Sequence, residues 1–259
     1  MNILTTDKIK KSLTENLKSN TIKNKILILS KDPTEEVLSY KRAIVKRCKD
    51  FAIDYIEKEF KDESQDEILS FINAYPKDYG FIVLSPFGDD ELTYLKKNID
   101  LKDLDAFTYK SKGLAMKGDK AYLPATARAV TLFLEDRFED LTGKNIVLAN
   151  NTEIIGKPLA LYLITKRATL TVINSSTQNR KEIIKNADIF ISAIGKAKYF
   201  DRSYFRENIT LIDVGTSVLD GKIYGDIDYD SLDGMDIDVL TNKKGIGAIT
   251  TLSLLESLL

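Results

Sequence analysis

The sequence contains no histidine. The commonest general acid/base is therefore missing, and so are every catalytic triad that needs histidine and most zinc sites. Proton transfer, where the chemistry requires it, must fall to lysine, tyrosine, aspartate, glutamate or bound water. We expect no metal site.

Cysteine is almost absent, since Cys48 is the only one. A single cysteine excludes an internal disulfide and fits a reducing compartment. No apolar run is long enough to span a bilayer. Residues 1–19 place apolar side chains at helical spacing among charged ones, which indicates an amphipathic helix and not a signal peptide. We therefore predict a cytoplasmic protein with no membrane partner.

The charges nearly cancel, with 38 basic and 39 acidic residues and a formal net charge of -1. Without a basic excess to neutralise phosphates, nucleic acid is not expected as a partner. A chain of 259 residues with 43% hydrophobic content is an ordinary globular protein of one large or two modest domains.

Strands alternate with helices along most of the chain, which predicts parallel βαβ units. The predicted fold class is α/β, with two α/β lobes, a cleft between them and a Rossmann-like second lobe. Segment 101–119 is read as irregular, and Pro124 as the start of a connecting helix. The predicted strands are 25–30, 51–56, 80–85, 146–149, 169–173, 188–193, 210–214 and 236–240, with a hairpin at 218–224.

The stretch from Asn145 to Pro158 combines a buried strand, a polar turn and the start of a helix. Asn150 tolerates left-handed dihedrals, so we expect it to replace a glycine in the tight turn. Gly156 then opens the helix. Strand, turn and helix N-terminus together predict an anion site, usually for a pyrophosphate. The usual Gly-x-Gly-x-x-Gly is absent, so the stretch alone is not specific.

Further blocks follow it in an informative order: 151–158, 168–177, 187–195, Leu211–Gly215 and Gly225-Asp226. Together they resemble the cofactor domain of the bifunctional methylenetetrahydrofolate dehydrogenase/cyclohydrolase family. The N-terminal half is more faintly similar, at 103–107 and 123–128, and the loop 245–250 is similar as well. The resemblance covers nearly the whole chain.

The resemblance implies two lobes bridged by a long helix, with the C-terminal helix folded back onto the first lobe, usually in a homodimer. The domains would be 1–124 plus 249–259 for substrate and 125–248 for NAD(P). The implied dehydrogenase moves hydride from methylenetetrahydrofolate, or a related pterin one-carbon carrier, to a nicotinamide. The implied cyclohydrolase then adds water to the methenyl product, which requires a group that handles protons.

The resemblance also implies the site residues. Asp105 would anchor the pterin and Tyr40 would stack on it, so these two are the catalytic candidates. The substrate would contact Tyr40, Leu84, Pro86, Asp105, Lys243 and Gly245. The cofactor would contact Asn150, Asn151, Thr152, Ile155, Gly156, Asn174, Ser175, Ser176, Ala193, Gly195, Gly215 and Thr250.

The departures from the family concentrate in the proton-handling residues. The family's Tyr-x-x-x-Lys places two side chains on one helix face, but here Ile44 follows Tyr40. The family's glutamine before its Pro-Leu-Pro loop is Leu84 here. We therefore predict that cyclohydrolase activity is weak or absent.

The cofactor prediction is NADP, because 174–177 contains no Asp or Glu to bind a ribose 2′-hydroxyl. NAD stays open. Two other functions also stay open: a catalytically inactive NADP-binding paralogue that acts as a sensor or partner subunit, and a two-lobe dehydrogenase for an unrelated small acid.

Overall fold

The computed structural model describes residues 1–23, 25–88, 91–219, 221–242 and 245–259. Its first half alternates strands and helices as follows: β1 (Asn2–Leu4), α1 (Asp7–Ser19), β2 (Ile26–Lys31), α2 (Glu35–Asp50), β3 (Tyr55–Phe60), α3 (Gln65–Asn73), β4 (Gly80–Val83), α4 (Thr93–Asn98), β5 (Lys102–Asp103), α5 (Tyr109–Ala115) and α6 (Ala125–Arg137). The second half continues with β6 (Asn145–Ala149), α7 (Gly156–Thr165), β7 (Thr169–Ile173), α8 (Arg180–Lys185), β8 (Ile189–Ser192), β9 (Thr210–Asp213), β10 (Ser217–Leu219), β11 (Lys222–Tyr224), β12 (Asp238–Leu240) and α9 (Gly247–Glu256).

The first lobe is built on a parallel four-stranded sheet in the order β3-β2-β4-β5. The central strands β2 and β4 are buried almost throughout, as strands covered by helices on both faces must be. Helix starts follow ordinary capping chemistry. Ser64 and Glu67, for example, form a capping box at the start of α3, which satisfies N–H groups that the helix itself leaves unpaired.

The second lobe is built on a parallel six-stranded sheet in the order β1-β12-β9-β8-β6-β7. The chain runs outward from β6 to β7 and then crosses to β8 on the other side of β6. The strand order therefore reverses between β6 and β8, which is where dinucleotide-binding sheets open a crevice. The two predicted α/β lobes, with the Rossmann-like lobe second, are confirmed.

Helices α6 and α9 join the lobes. Helix α9 packs against α1, α2 and α6, and its apolar side chains are buried on almost every face. One apolar core runs from Ile26 and Ile28 in the first sheet to Ile146 and Leu148 in the second. The C-terminal helix is thus buried between both lobes. The predicted domain boundaries, 1–124 plus 249–259 and 125–248, stay a prediction.

Three secondary-structure predictions were wrong. Residues 2–4 form an edge strand of the second lobe, paired with β12, where only a helix was expected. The strand predicted at 51–56 lies at Tyr55–Phe60, because α2 runs on to Asp50 and Ala52 turns the chain with a φ of 52°. The segment read as irregular contains β5 and α5. No helix among the described residues is long and apolar enough to cross a membrane.

Candidate functional site

The loop after β6 is organised by the side chain of Asn150. Its amide donates to the carbonyl of Ala193 at 2.6 Å, and its Oδ1 accepts from the N–H groups of Thr152 at 2.8 Å and Gly156 at 2.9 Å. The Thr152 hydroxyl donates to the same oxygen at 2.8 Å. Asn150 is buried. Its amide therefore ties the loop to α7 and to the end of β8.

Asn150 does not replace a glycine through backbone freedom, so that prediction was wrong: it is absent from the described non-glycine residues with positive φ. The close approach that requires a glycine lies at Gly156. A Cβ built there would stand 2.1 Å from the carbonyl oxygen of Asn150, which any larger residue would clash with.

Two fully buried aspartates hold the loops after β8 and β9. Asp226 accepts from the Ser192 hydroxyl at 2.6 Å and from the N–H groups of Ile194 at 2.7 Å and Lys196 at 2.8 Å. Asp213 accepts from the hydroxyl of Tyr229 at 2.6 Å and from the N–H groups of Gly215, Asp226 and Ile227. Burial raises the pKa of Asp213 to about 6. The two carboxylates shape the loops that carry Ala193, Gly195 and Gly215.

Glycines make room for these carboxylates. A Cβ at Gly215 would lie 2.1 Å from the carboxyl carbon of Asp226, and one at Gly225 would lie 2.1 Å from Oδ2 of Asp213. The sequence blocks Leu211–Gly215 and Gly225-Asp226 therefore form one packed unit, in which each aspartate occupies the space that a glycine leaves.

The end of β7 presents hydroxyl and amide groups. Asn174, Ser175 and Ser176 are all exposed, and Asn174 Oδ1 accepts from the N–H of Ser176 at 2.8 Å. Nearby, Arg180 donates to the Tyr199 hydroxyl at 2.7 Å. Residues 174–177, all of them described, include no carboxylate, so a ribose 2′-phosphate would meet donors there without repulsion from these side chains. This donor set fits an NADP cofactor.

A cavity of about 330 Å³ lies between the lobes. It brings together three of the predicted substrate residues, namely Tyr40 from α2, Leu84 after β4 and Asp105 after β5. From the second lobe it is lined by the cofactor loop. The substrate candidates and the cofactor loop therefore face the same space. The other lining residues include Val83, Ser85, Leu92, Lys96, Ala106, Phe107, Lys112, Pro124, Thr126, Thr152, Glu153 and Ile154.

Asp105 is fixed by the start of α6. Its Oδ1 accepts from the N–H of Ala125 at 2.6 Å, one of the N–H groups that a helix start leaves unpaired. Burial raises the pKa of Asp105 to about 6. The hydrogen bond from the N–H of Ala125 opposes this shift, and the negative charge of Asp103 adds to it. Asp103 itself accepts from the N–H groups of Phe107 at 3.1 Å and Thr108 at 2.7 Å. It thereby shapes the turn that presents Asp105.

The buried guanidinium of Arg128 anchors this turn to two helices. It lies on α6 and donates to five backbone carbonyls, those of Leu104, Lys120, Ala121, Leu123 and Ser253. Leu104 precedes Asp105, and Ser253 belongs to α9. Arg128 therefore fixes Asp105 relative to both helices that join the lobes.

Tyr40 and Ile44 differ in environment. Tyr40 is half-buried and lines the cavity. Burial raises its pKa, and the negative charge of Asp105 adds to the effect, so the hydroxyl stays protonated at neutral pH. Ile44 is 0% exposed and belongs to the apolar core. Leu84 is 2% exposed. Ile44 and Leu84 stand where the resemblance implies a lysine and a glutamine, and neither has a side chain that can hold a proton.

Another cavity, of about 380 Å³, lies between α2, α9 and the loop after β9. It is lined by Thr250, which was predicted to contact the cofactor, and by residues of the loop after β9 such as Val214 and Thr216. Tyr40 and Thr126 line both cavities. The two cavities therefore meet at these two residues.

Other predicted site residues are placed differently. Pro86 is exposed, and Gly245 is buried with its carbonyl accepting from Thr6 at 3.2 Å. Neither is among the residues that line the 330 Å³ cavity. Asn151 is exposed and Ile155 half-buried in the cofactor loop. Lys243 lies outside the described residues. The roles assigned to all of these residues stay predictions.

Sequence reasoning missed Thr126, Lys96, Lys112 and Glu153 as cavity residues. Thr126 lies within the block 123–128 that resembles the family, so the resemblance could have pointed to it as a site residue. The two lysines lie on α4 and α5, and no local pattern distinguishes them from surface lysines. Within the described ranges, no group of three or more Cys, Asp or Glu side chains is arranged to hold a metal ion.

Comparison with known proteins agrees with this geometry. Residues 124–259 match the family model described as "Tetrahydrofolate dehydrogenase/cyclohydrolase, NAD(P)-binding domain". The bifunctional protein FolD of Clostridium beijerinckii is 34% identical over 211 residues, which are 79% of this chain and 75% of that relative.

Solved structures show the same fold. The methylenetetrahydrofolate dehydrogenase/cyclohydrolase FolD of Campylobacter jejuni has a TM-score of 0.88 at 26% identity, over 98% of this chain and 94% of that one. The bifunctional enzyme of Thermoplasma acidophilum has a TM-score of 0.89 at 23% identity, over 99% and 96% of the two chains.

Proposed function

The chain belongs to the tetrahydrofolate dehydrogenase/cyclohydrolase family, and from this premise we propose that it is an NADP-dependent methylenetetrahydrofolate dehydrogenase. The observation that carries the proposal is the meeting of two cavities at Tyr40 and Thr126. One cavity contains Asp105 and the other opens toward the cofactor loops. A pterin in the first would face a nicotinamide in the second, which is what hydride transfer requires.

The protein's part in this reaction is to bind, orient and exclude water. Asp105 accepts hydrogen bonds from the pterin with the carboxylate oxygen that Ala125 does not use. Tyr40 offers its ring as a stacking surface. The loop held by Asn150 and the donors at Asn174–Ser176 would hold the dinucleotide, and a bound dinucleotide would supply the hydride acceptor. Hydride transfer requires no side chain to move a proton, so the absence of histidine does not impair this step.

Hydrolysis of the methenyl product is different, because water must lose a proton as it adds. Ile44 is completely buried and apolar, and Leu84 is apolar as well. The Tyr40 hydroxyl keeps its proton at neutral pH, since its pKa is raised. We therefore propose that the dehydrogenase works without an effective cyclohydrolase, although FolD relatives are called bifunctional.

The test is a steady-state assay of dinucleotide reduction with 5,10-methylenetetrahydrofolate, run separately with NADP and NAD. We expect turnover with a preference for NADP. Asp105→Ala, which removes the pterin anchor, is the control and should raise the KM for the folate and leave the KM for NADP unchanged. Dinucleotide binding without any hydride transfer would instead favour the inactive paralogue, which the family comparison does not favour.

We also propose that the chain forms a homodimer through the β10–β11 hairpin. Val218 and Ile223 pair directly across its two strands and are 65% and 58% exposed, which is unusual for a cross-strand apolar pair. Sedimentation equilibrium should give a dimer for the wild type and a monomer for Val218→Glu. A cytoplasmic location stays a prediction from the cysteine content.

A further inference from the structure

Three lysines surround one carboxylate in the lining of the substrate cavity. The Nζ of Lys112 lies 2.5 Å from Oε2 of Glu153, and that of Lys96 lies 3.8 Å from the same oxygen. Lys157 reaches the other oxygen, Oε1, at 3.9 Å. We call these four residues the Glu153 cluster. Lys96 and Lys112 belong to the first lobe and Glu153 to the cofactor loop of the second, so the cluster spans the cleft.

The cluster carries more positive than negative charge. Within the described ranges, Glu153 is the only carboxylate within 4.0 Å of the three ammonium groups. Three lysines against one glutamate leave two positive charges. Lys96 and Lys112 are only 23% and 26% exposed, so their charges are less screened than those of surface lysines. Such a cluster attracts an anion that carries about two charges.

Three members of the cluster also line the cavity of the proposed pterin site. Lys96 and Lys112 line the 330 Å³ cavity together with Asp105. An apolar cavity of about 260 Å³ adjoins it, and Ala106, Lys112, Pro124 and Glu153 line both. Ala106 and Pro124 thus give apolar walls to both cavities that the lysines line.

We propose that Lys96 and Lys112, with Lys157 at the rim, bind the glutamate carboxylates of the folate substrate. This rests on the proposed function. Beyond its pterin ring a folate carries an apolar benzoyl group and a glutamate with two carboxylates. The lining of the two cavities offers a partner for each of these parts: Asp105 for the pterin, apolar side chains such as Ala106 and Pro124 for the benzoyl group, and the lysines for the carboxylates. In the absence of substrate Glu153 takes the place of the tail carboxylates.

The test measures binding by calorimetry with two ligands, tetrahydrofolate and tetrahydropteroate, which lacks the glutamate. The wild-type chain should bind tetrahydrofolate roughly ten-fold more tightly, as expected for a charge-assisted contact. The double variant Lys96→Gln/Lys112→Gln should lose this difference and leave the affinity for tetrahydropteroate unchanged. The matched control, Lys97→Gln/Lys110→Gln, changes exposed lysines on the same two helices that do not line the cavity. It should keep the difference.

Equal wild-type affinity for the two ligands would overturn the proposal, and so would an equal loss of both affinities in the double variant. A loss of NADP affinity in that variant, with folate binding intact, would assign the lysines to the cofactor phosphates and overturn it too. If the wild type binds neither pterin, this proposal and the proposed function both fail. If the expected binding pattern appears without hydride transfer, only the proposed function fails.

Discussion

Tyr40 and Ile44 lie one turn apart on α2, yet the phenol lines the substrate cavity whereas the isoleucine is fully buried in the core. In the family that this chain resembles, the second position is a lysine. Here the position is part of the packing between the lobes. Where the resemblance implies a proton-handling lysine, this chain therefore has an apolar side chain that packs in the core.

Restoring the lysine alone should damage the fold. Ile44→Lys places an ammonium in an apolar core, and we expect the free energy of unfolding to fall by about 3–5 kcal/mol, as for an uncompensated buried charge. Urea unfolding measures this. Ile44→Leu, which keeps the volume, should lose less than about 1.5 kcal/mol. A fully stable Ile44→Lys protein that hydrolyses the methenyl substrate would show that the position is open to the cavity.

Asp105 should give the dehydrogenase a pH dependence. Its pKa is raised from 3.8 to about 6, and we expect the ionised form to bind the pterin. The value of kcat/KM for the folate should therefore rise with pH through about 6 and then level off. Asp105→Asn should lower kcat/KM and remove that step. A step near pH 6 that persists in Asp105→Asn would assign the titration to another group.

The same carboxyl group should affect stability in the opposite direction. Because its folded pKa lies above the unfolded value near 3.9, the folded state holds the proton more tightly between about pH 4 and 6. The stability that Asp105 contributes is present below this window and is lost as the pH rises through it. Urea unfolding at pH 4.5 and 7 should show a smaller difference in Asp105→Asn than in the wild type.

Gly215→Ala should be destabilising because the added Cβ would lie 2.1 Å from the carboxyl carbon of Asp226. We expect a loss of about 1–3 kcal/mol, as in other overpacked sites, together with weaker NADP binding. Gly113→Ala is the control, since nothing lies within 4 Å of a Cβ there and alanine favours a helix by roughly 1 kcal/mol. Equal stability of the two variants would mean that the carboxylate can move aside.

Asn174→Asp should shift the cofactor preference toward NAD. The aspartate keeps the oxygen that accepts from Ser176 and adds a charge that binds a ribose 2′-hydroxyl and repels a 2′-phosphate. We expect the ratio of kcat/KM for NADP to that for NAD to fall roughly ten-fold or more. Asn174→Ser, which adds no charge, should leave the ratio nearly unchanged. A ratio that Asn174→Asp does not alter would place the phosphate elsewhere.

The fold followed from the sequence where the interactions are local. The predicted strand 146–149 and the helix start at Gly156 are both observed, because apolar runs and helix-start residues act over short distances. The strand Asn2–Leu4 was missed since its three residues pair with β12, more than 230 positions away. Helix α5 was missed because it is short and contains Gly113.

The residues of the candidate site could be predicted from the sequence only in part, again because only local interactions leave a recognisable pattern in it. Tyr40, Leu84 and Asp105 meet in one cavity, and the substrate contacts that the resemblance implies for them stay predictions. The role of Asn150, by contrast, was not predicted. We expected its backbone to adopt left-handed dihedrals, but its side-chain amide forms hydrogen bonds to the loop and to the end of β8. The Glu153 cluster joins residues from two lobes and has no local signature at all.

The most direct test of a dehydrogenase without an effective cyclohydrolase is the fate of the methenyl product. The chain should be given 5,10-methylenetetrahydrofolate and NADP at neutral pH, and NADPH and the methenyl compound followed together. We predict that NADPH forms, and that the methenyl compound accumulates and decays only at its spontaneous rate. The absence of NADPH formation, or enzyme-dependent conversion of the methenyl compound to the formyl product, would contradict this.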